Sequence, residues 1–345
     1  MRFFPALLVF ASLAVEAAAP QPPSIIGKSW VLGDLSSGQV LAAQRADERF
    51  EPASLTKLMT AYVVFTALRE RKLALEQQVK VSERAWKAPG SRMFIEPRRL
   101  VTVDDLIRGM VVQSGNDACI ALAERIAGSE EAFAGMMNRE AERLGMKNTR
   151  FMNASGLPDA QHYSTAQDLY NLAAALIRDF PDEYAQYYSR KEFRYNNIPQ
   201  VNRNRLLWLD PSVDGVKTGQ TEAAGYCLVA SSRRGGRRLL SVLLGSTSEA
   251  TRAQESLKLL NWGYQFFDSV KLYAAGATVR SGGAFDRWDL EARVGIMGAA
   301  RLLVAVEEHG AGRQLVRLRA WPRGAPGWLT LGGALALLAA GSAAD

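Results

Sequence analysis

A change of hydrophobic period, made twice, sets the strongest limit on how this chain can fold. Residues 29–44, SWVLGDLSSGQVLAAQ, alternate as two strands about a Ser-Gly turn, the pattern of a hairpin. From residue 54 the apolar spacing becomes helical. One helix runs from Ser54 to about Arg71, and a second covers VTVDDLIRGMVV, 101–112. The second is interrupted at QSGND, 113–117, and helical spacing resumes in ACIALAERIA until Gly128. Ser129 opens a further helix that Gly145 closes as a left-handed C-terminal residue. Thr165 with Asp168 forms a capping pair before LYNLAAALI. The period then shortens again. VDGVKTG, AGYCLVASS and RRLLSVLLGS are short, apolar strands, with SRRGGR as the hairpin loop between the last two. A final helix, ATRAQESLKLLNWGYQFF, ends near Asp268. Strands at both ends with helices between them predict an α+β domain whose antiparallel sheet joins the first strands to the last.

The ends of the chain bound its setting. MRFFPALLVFASLAVEAAAP has Arg2, an apolar run from Phe3 to Val15 and small residues around Ala17 to Ala19. That is the layout of a secretory signal over 1–19, and the run is short for a membrane span. At 345 residues the chain is long enough for two domains. After the 24–267 region, short alternating stretches separated by Gly-rich turns predict a small β-rich domain over 268–322. An apolar, small-residue tail follows over 323–345. That tail is short for a spanning helix and has no charged residue between Trp328 and Ala344. Arg313, Arg317, Arg319 and Arg323 precede it on the exported side, against the positive-inside bias for a tail anchor. Weak peripheral contact with anionic lipid is the preferred reading, and docking of the tail on the protein is the alternative.

Several function classes are disfavoured. The net charge of +7 suits an anionic surface, but the basic residues are dispersed and no nucleic-acid-binding pattern occurs. His162 and His309 are the only histidines, too few and too far apart for a metal site. Neither sits in a setting that suits a Ser-His-Asp hydrolase. Cys119 and Cys227 each lie in an apolar segment and are expected as two buried free thiols. No cofactor is implied.

The chemistry is concentrated in three short motifs. Ser54 and Lys57 stand three residues apart at a helix start, so both project from one face. A serine hydroxyl is a poor nucleophile until a neighbour takes its proton, and Lys57 can do so if burial and a nearby cation lower its pKa. Lys217 is the expected cation. Unpaired N–H groups at the helix start could face a developing oxyanion. Ser114-Gly115-Asn116 sits where the helical pattern breaks, and offers a proton relay and an amide partner for a peptide backbone. Lys217-Thr218-Gly219 sits on a predicted strand. Lys217 and Thr218 can hold an anionic group, and Gly219 lets a substrate approach the strand edge. A Ser-x-x-Lys alone is weak, and each residue has a structural role as cap, solvated side chain or turn. The three together, in this order, point to an acyl substrate with a carboxylate near the scissile bond.

ASLTKLMTAYV, QSGNDACIALAE, NRNRLLW and VDGVKTGQTEAAGYCLVAS carry a resemblance that spans nearly all of residues 24–267. The chain resembles the low-molecular-mass penicillin-binding D-alanyl-D-alanine carboxypeptidases, whose wider superfamily is marked by this motif set. Gly115, where many relatives have Asp, is typical of this branch. The resemblance implies a β-lactamase/transpeptidase-like domain, with an antiparallel sheet, helices on both faces and a helical cluster. It implies Ser54 as acyl-ester nucleophile, Lys57 as proton acceptor and Ser114 as proton shuttle. Asn116 would bind the substrate amide, and Lys217 with Thr218 the terminal carboxylate. The N–H groups of Ser54 and Gln220 would form the oxyanion hole; Gln220 replaces a His of several relatives. The implied partners are peptidoglycan pentapeptide stems, with β-lactams as inhibitors, and the implied location is the periplasm or outer face of the inner membrane. A class A β-lactamase needs a loop glutamate between the second and third motifs. Glu192-Phe-Arg-Tyr-Asn196 has the spacing, but its alternation reads as a strand. A non-catalytic peptidoglycan-binding protein would not need an activated serine.

Overall fold

Trp30 and Leu32 belong to one buried cluster, and Val31 between them belongs to another. Alternation between two cores requires a sheet covered on both faces. The computed structural model describes residues 20–268 and the strand segments 278–281, 290–294, 298–309 and 313–323. It separates into two units, Pro22–Ser269 and a second that holds Val270–Asp345.

The first unit is built on a five-stranded antiparallel sheet. Its strands are β1 (Ser29–Asp34), β2 (Gln39–Gln44), β3 (Val213–Thr221), β4 (Gly225–Arg234) and β5 (Arg237–Ser246), in the order β2-β1-β5-β4-β3. The pairing of β1 with β5, Val31 opposite Val242, stitches the first strands to the last, as the period change predicts. Helix Ala166–Asp179 contributes to the core on one face, and helix Glu249–Phe266 to the core on the other. Their starts are capped by Thr165 and Ser248, which accept from the N–H groups of Asp168 and Thr251. Caps of this kind each contribute about 1 kcal/mol. Ser129 caps the helix Glu130–Arg143 in the same way. Cys119 and Cys227 are buried free thiols.

Local chemistry shifts one expected boundary. The helix foreseen over 101–112 starts later, because Leu100–Thr102 is a strand paired with Gln78–Lys80. Val101 and Thr102 are β-branched and favour that pairing, and Thr102 then caps helix Val103–Arg108. That helix widens into a π-turn over Gly109–Gln113, and Ser114 takes a left-handed φ of 65°. Helix Asn116–Ala127 begins immediately after.

The helical cluster is centred on α1 (Lys57–Arg69), most of whose residues are buried. An irregular segment, 149–163, is fastened to it. Asn153 Oδ1 accepts from the N–H groups of Ser155, Gly156 and Leu157, which closes a tight turn. Thr60 Oγ1 donates to the Ala154 carbonyl at 2.6 Å, and the Ala154 N–H donates to Glu130 at 3.0 Å.

The second unit contains a four-stranded antiparallel sheet in chain order: Thr278–Ser281, Leu290–Val294, Gly298–His309 and Arg313–Arg323. Arg313, Arg317, Arg319 and Arg323 are therefore strand residues, and the last strand reaches one residue into the segment expected as tail. Residues 1–19, expected as a signal, and residues 324–345 of the expected tail lie outside the described residues. No described helix is long and apolar enough to cross a membrane.

Gly156 adopts φ 83°, and a Cβ there would fall 1.8 Å from the Ala53 carbonyl oxygen. Gly156→Ala is expected to lower stability by about 3 kcal/mol or more, through left-handed strain and backbone overlap. Urea denaturation checks this: an unchanged midpoint would show that the 153–157 turn can retreat from Ala53 without loss.

Candidate active site

Ser54 lies on a 3₁₀ turn, Ala53–Thr56, which runs directly into α1. In that geometry residues three apart eclipse, so Ser54 and Lys57 are held side by side more closely than an α-helical start would allow. Ala53, just before the serine, has a left-handed φ of 47°, a strained setting for a residue with a Cβ. Ser54 is half-buried and faces a cleft, whereas Lys57 is 1% exposed.

The Lys57 amine meets three oxygens: Ser54 Oγ at 2.9 Å, Asn116 Oδ1 at 2.8 Å and the Ser155 carbonyl at 2.6 Å. An ammonium fills all three with its three N–H groups. A neutral amine has only two, and the Asn116 and Ser155 oxygens can do nothing but accept. The lone pair is then left for Ser54, whose hydroxyl can donate to it. Burial pulls the Lys57 pKa down to about 8, the Arg203 cation pushes the same way, and the Asp117 carboxylate opposes them.

Asn116 Nδ2 donates to the Pro89 carbonyl at 2.7 Å, which orients its oxygen toward Lys57. The side chain expected to meet substrate thus also holds the base, with one Nδ2 hydrogen left for the cleft. Gly115 gives room to its neighbour: a Cβ would stand 2.8 Å from Asp117 Oδ1. The Asp117 carboxylate accepts from the N–H groups of Met93, Phe94 and Ile95, fixing the loop beside the cleft. Ser114 Oγ is buried and makes no hydrogen bond to the described protein atoms.

Strand β3 forms the opposite wall as the open edge of the sheet. Lys217 is buried, and its Nζ donates to the Thr218 carbonyl at 3.1 Å. Its pKa is pushed well below the usual lysine range by burial, and then by repulsion from Lys57. The sequence pointed to Lys217 as the cation that depresses Lys57. In the structure burial dominates, Arg203 adds to it, and Lys57 and Lys217 repel one another. Gly219 also has a packing role, since a Cβ would press within 3.2–3.3 Å of Pro52, Ala53 and Leu55.

Ser54, Ser114, Asn116, Thr218, Gly219 and Gln220 all line one cleft of about 550 Å³, with Lys57 and Lys217 buried. Sequence reasoning missed three contributors. Arg203 and Arg252 line the same cleft, and Arg252 donates to the Gly219 carbonyl at 3.2 Å. NRNRLLW held Arg203 in plain view, but Arg252 resembles any helix-surface arginine. The Ser155 carbonyl left no signal, because any residue can supply one. Glu192 lies on a strand, Glu192–Tyr195, and lines a different pocket with Asp105, Arg108 and Arg194. It is not among the residues of the Ser54 cleft.

A reachable serine hydrogen-bonded to a buried lysine, opposite an open strand edge flanked by cations, fits the class of serine acyl-transfer hydrolases in which lysine can take the role of histidine. The comparisons narrow the class. A family model described as D-alanyl-D-alanine carboxypeptidase, peptidase S11, matches residues 16–248. D-alanyl-D-alanine carboxypeptidase DacC of Escherichia coli is 48% identical over 280 residues, covering 79% of this chain and 70% of that protein. The crystal structure of penicillin-binding protein 6B from Escherichia coli superposes with a TM-score of 0.74 at 38% identity, over 90% of this chain and 98% of the other. Penicillin-binding protein D2 from Listeria monocytogenes, in its ampicillin-bound form, gives a TM-score of 0.64 at 31% identity, over 70% and 98%. The chain belongs to the D-alanyl-D-alanine carboxypeptidase family and has its transpeptidase/β-lactamase-like fold.

Lys57 must be neutral to take the serine proton, so acylation of Ser54 should accelerate with pH through about 8 in the free enzyme. Stopped-flow labelling by a fluorescent penicillin across this range reads the acid limb. Lys57→Arg should abolish labelling, because guanidinium stays protonated. A flat profile would remove Lys57 as the base.

Proposed function

We propose that this protein is an exported serine-type carboxypeptidase that removes the terminal D-alanine from peptidoglycan pentapeptide stems through an acyl-enzyme on Ser54. The observation that carries the proposal is the set of three oxygens around Lys57, which leaves the lone pair of the neutral amine for the Ser54 hydroxyl.

The stem lies along the edge of β3, with its terminal carboxylate at Thr218, Lys217 and Arg252. That anion favours the charged form of Lys217, and a charged Lys217 in turn favours a neutral Lys57. Binding of the correct chain end therefore helps prepare the base. Ser54 Oγ attacks the penultimate carbonyl as its proton passes to Lys57, and the oxyanion is met by the N–H groups of Ser54 and Gln220. Ser114 relays a proton to the leaving amine, and D-alanine departs. Water then hydrolyses the ester and restores the serine. Asn116 holds both the base and the substrate amide.

Penicillins present a strained amide and a carboxylate to the same groups and acylate the same oxygen. Their ring remains tethered after acylation and obstructs water. The sequence layout supports a leader over 1–19, a catalytic domain over 24–267, a small β-rich domain over 268–322 and a tail over 323–345. It also supports a periplasmic location. The arginines of the last strand, together with the apolar tail, suit peripheral contact with the inner membrane.

Incubation with a peptide ending in D-Ala-D-Ala should release D-alanine, and Ser54→Ala should abolish both this and penicillin labelling. Intact-mass spectra should show the wild-type penicilloyl adduct persisting for minutes, with Glu192→Gln changing little. Clearance within seconds, slowed by that substitution, would move the assignment to a β-lactamase. Arg252→Ala should weaken turnover of free-carboxylate peptides about 10- to 100-fold relative to amidated ones, the loss expected for a charge-assisted bond. Equal losses on both substrates would make Arg252 a support for β3 alone.

A further inference from the structure

His162 takes no part in the chemistry above, yet it is 3% exposed on the same segment whose Ser155 carbonyl holds Lys57. Its Nδ1 accepts from the Met152 N–H at 3.4 Å, which places the ring proton on Nε2. Nε2 is 2.9 Å from Thr56 Oγ1 and donates to it. Thr56 is fully buried and immediately precedes Lys57. Phe151 packs edge-on against the imidazole at 5.7 Å. Burial pushes the pKa of the ring down to about 4, with the Asp159 carboxylate opposing, so the ring is neutral at ordinary pH.

Three side chains at the start of α1 reach this segment: Thr56 to His162, Lys57 to Ser155 and Thr60 to Ala154. The Lys57 amine keeps a donor for the Ser155 carbonyl in either protonation state, but it holds that one atom and not the limbs on either side of it. The limb before Gly156 has independent anchors in Thr60 and Glu130. For the return limb, 157–163, the tie to the Ser54 turn among the described residues is the His162–Thr56 bond.

We infer that His162 is a positioning residue for acylation, which locks the return limb to Thr56 and so aims the Ser155 carbonyl at Lys57. The inference rests on the Ser54–Lys57 assignment and goes beyond it by giving a role to a residue outside the cleft.

Penicillin acylation rates per titrated active site, measured across pH and beside thermal melts, test it in His162→Leu, His162→Gln, Thr56→Val and the Leu/Val double variant. His162→Leu and Thr56→Val should each slow acylation about tenfold and raise its acid limb, as water reaches Lys57 and relieves the burial that lowers its pKa. The double variant should be no slower than either single one, because both remove the same link. His162→Gln, whose amide can still donate to Thr56, should stay within about threefold of wild type. A lower melting temperature with unchanged rate and acid limb would overturn the inference and make His162 a packing residue only. If His162→Leu does not fold, Thr56→Val against His162→Gln makes the same comparison. A wild type that penicillin does not acylate would overturn the Ser54 assignment itself, a result distinct from any difference within the series.

Discussion

The Lys57 amine sits out of water, and the rest of the catalytic unit is arranged around that fact. A buried ammonium is tolerated only with its donors satisfied, and a buried neutral amine reacts only if its lone pair has one outlet. Both conditions are met by oxygens from sequence-distant places: the turn at Ser54, the start of a helix at Asn116 and the segment at Ser155. Each oxygen is held in turn. The Pro89 carbonyl orients the Asn116 amide, Asn153 closes the turn around Ser155, and Gly219 and Gly156 let their backbones lie against the Ser54 turn. The β1–β5 pairing makes this possible, because it brings both ends of the catalytic unit into one sheet.

The legible parts of the fold were those written in local chemistry. Period-two alternation marked the β1–β2 hairpin and the three late strands, and Ser129 and Thr165 announced helix starts that the structure retains. The strand at Leu100–Thr102 was hidden because three residues are too few to show a period, and its partner lies some twenty residues earlier in the chain. In the site, side chains with unusual neighbours could be found from sequence, and the structure brings those motif residues to one cleft. What escaped acts through the backbone or by distance. The Ser155 carbonyl has no residue signature, and Arg252 becomes notable only once its helix packs on β4 and β5 and its guanidinium reaches the Gly219 carbonyl. Gly219 was assigned to substrate access, whereas its contact with the Ser54 turn requires a tertiary structure to see.

Cations are concentrated around the cleft. Lys57, Lys217, Arg203 and Arg252 converge on it, and Glu249 is the acidic residue along its wall. Repulsion among them, added to burial, lowers the proton affinity of the Lys57 and Lys217 amines. The same field attracts an anionic chain end, an attraction that salt screens over roughly 10 Å.

Strand β3 has one neighbour in the sheet, β4, and its other side meets the Ser54 turn through Gly219. An exposed sheet edge is ordinarily a hazard, since it invites pairing with any extended chain. Here the turn stands against the edge like a fence and leaves a slot for one backbone. The turn therefore covers part of the edge along which a second sheet would have to pair. A chain pairing with the free side of this strand would meet it through peptide groups, which every sequence carries alike.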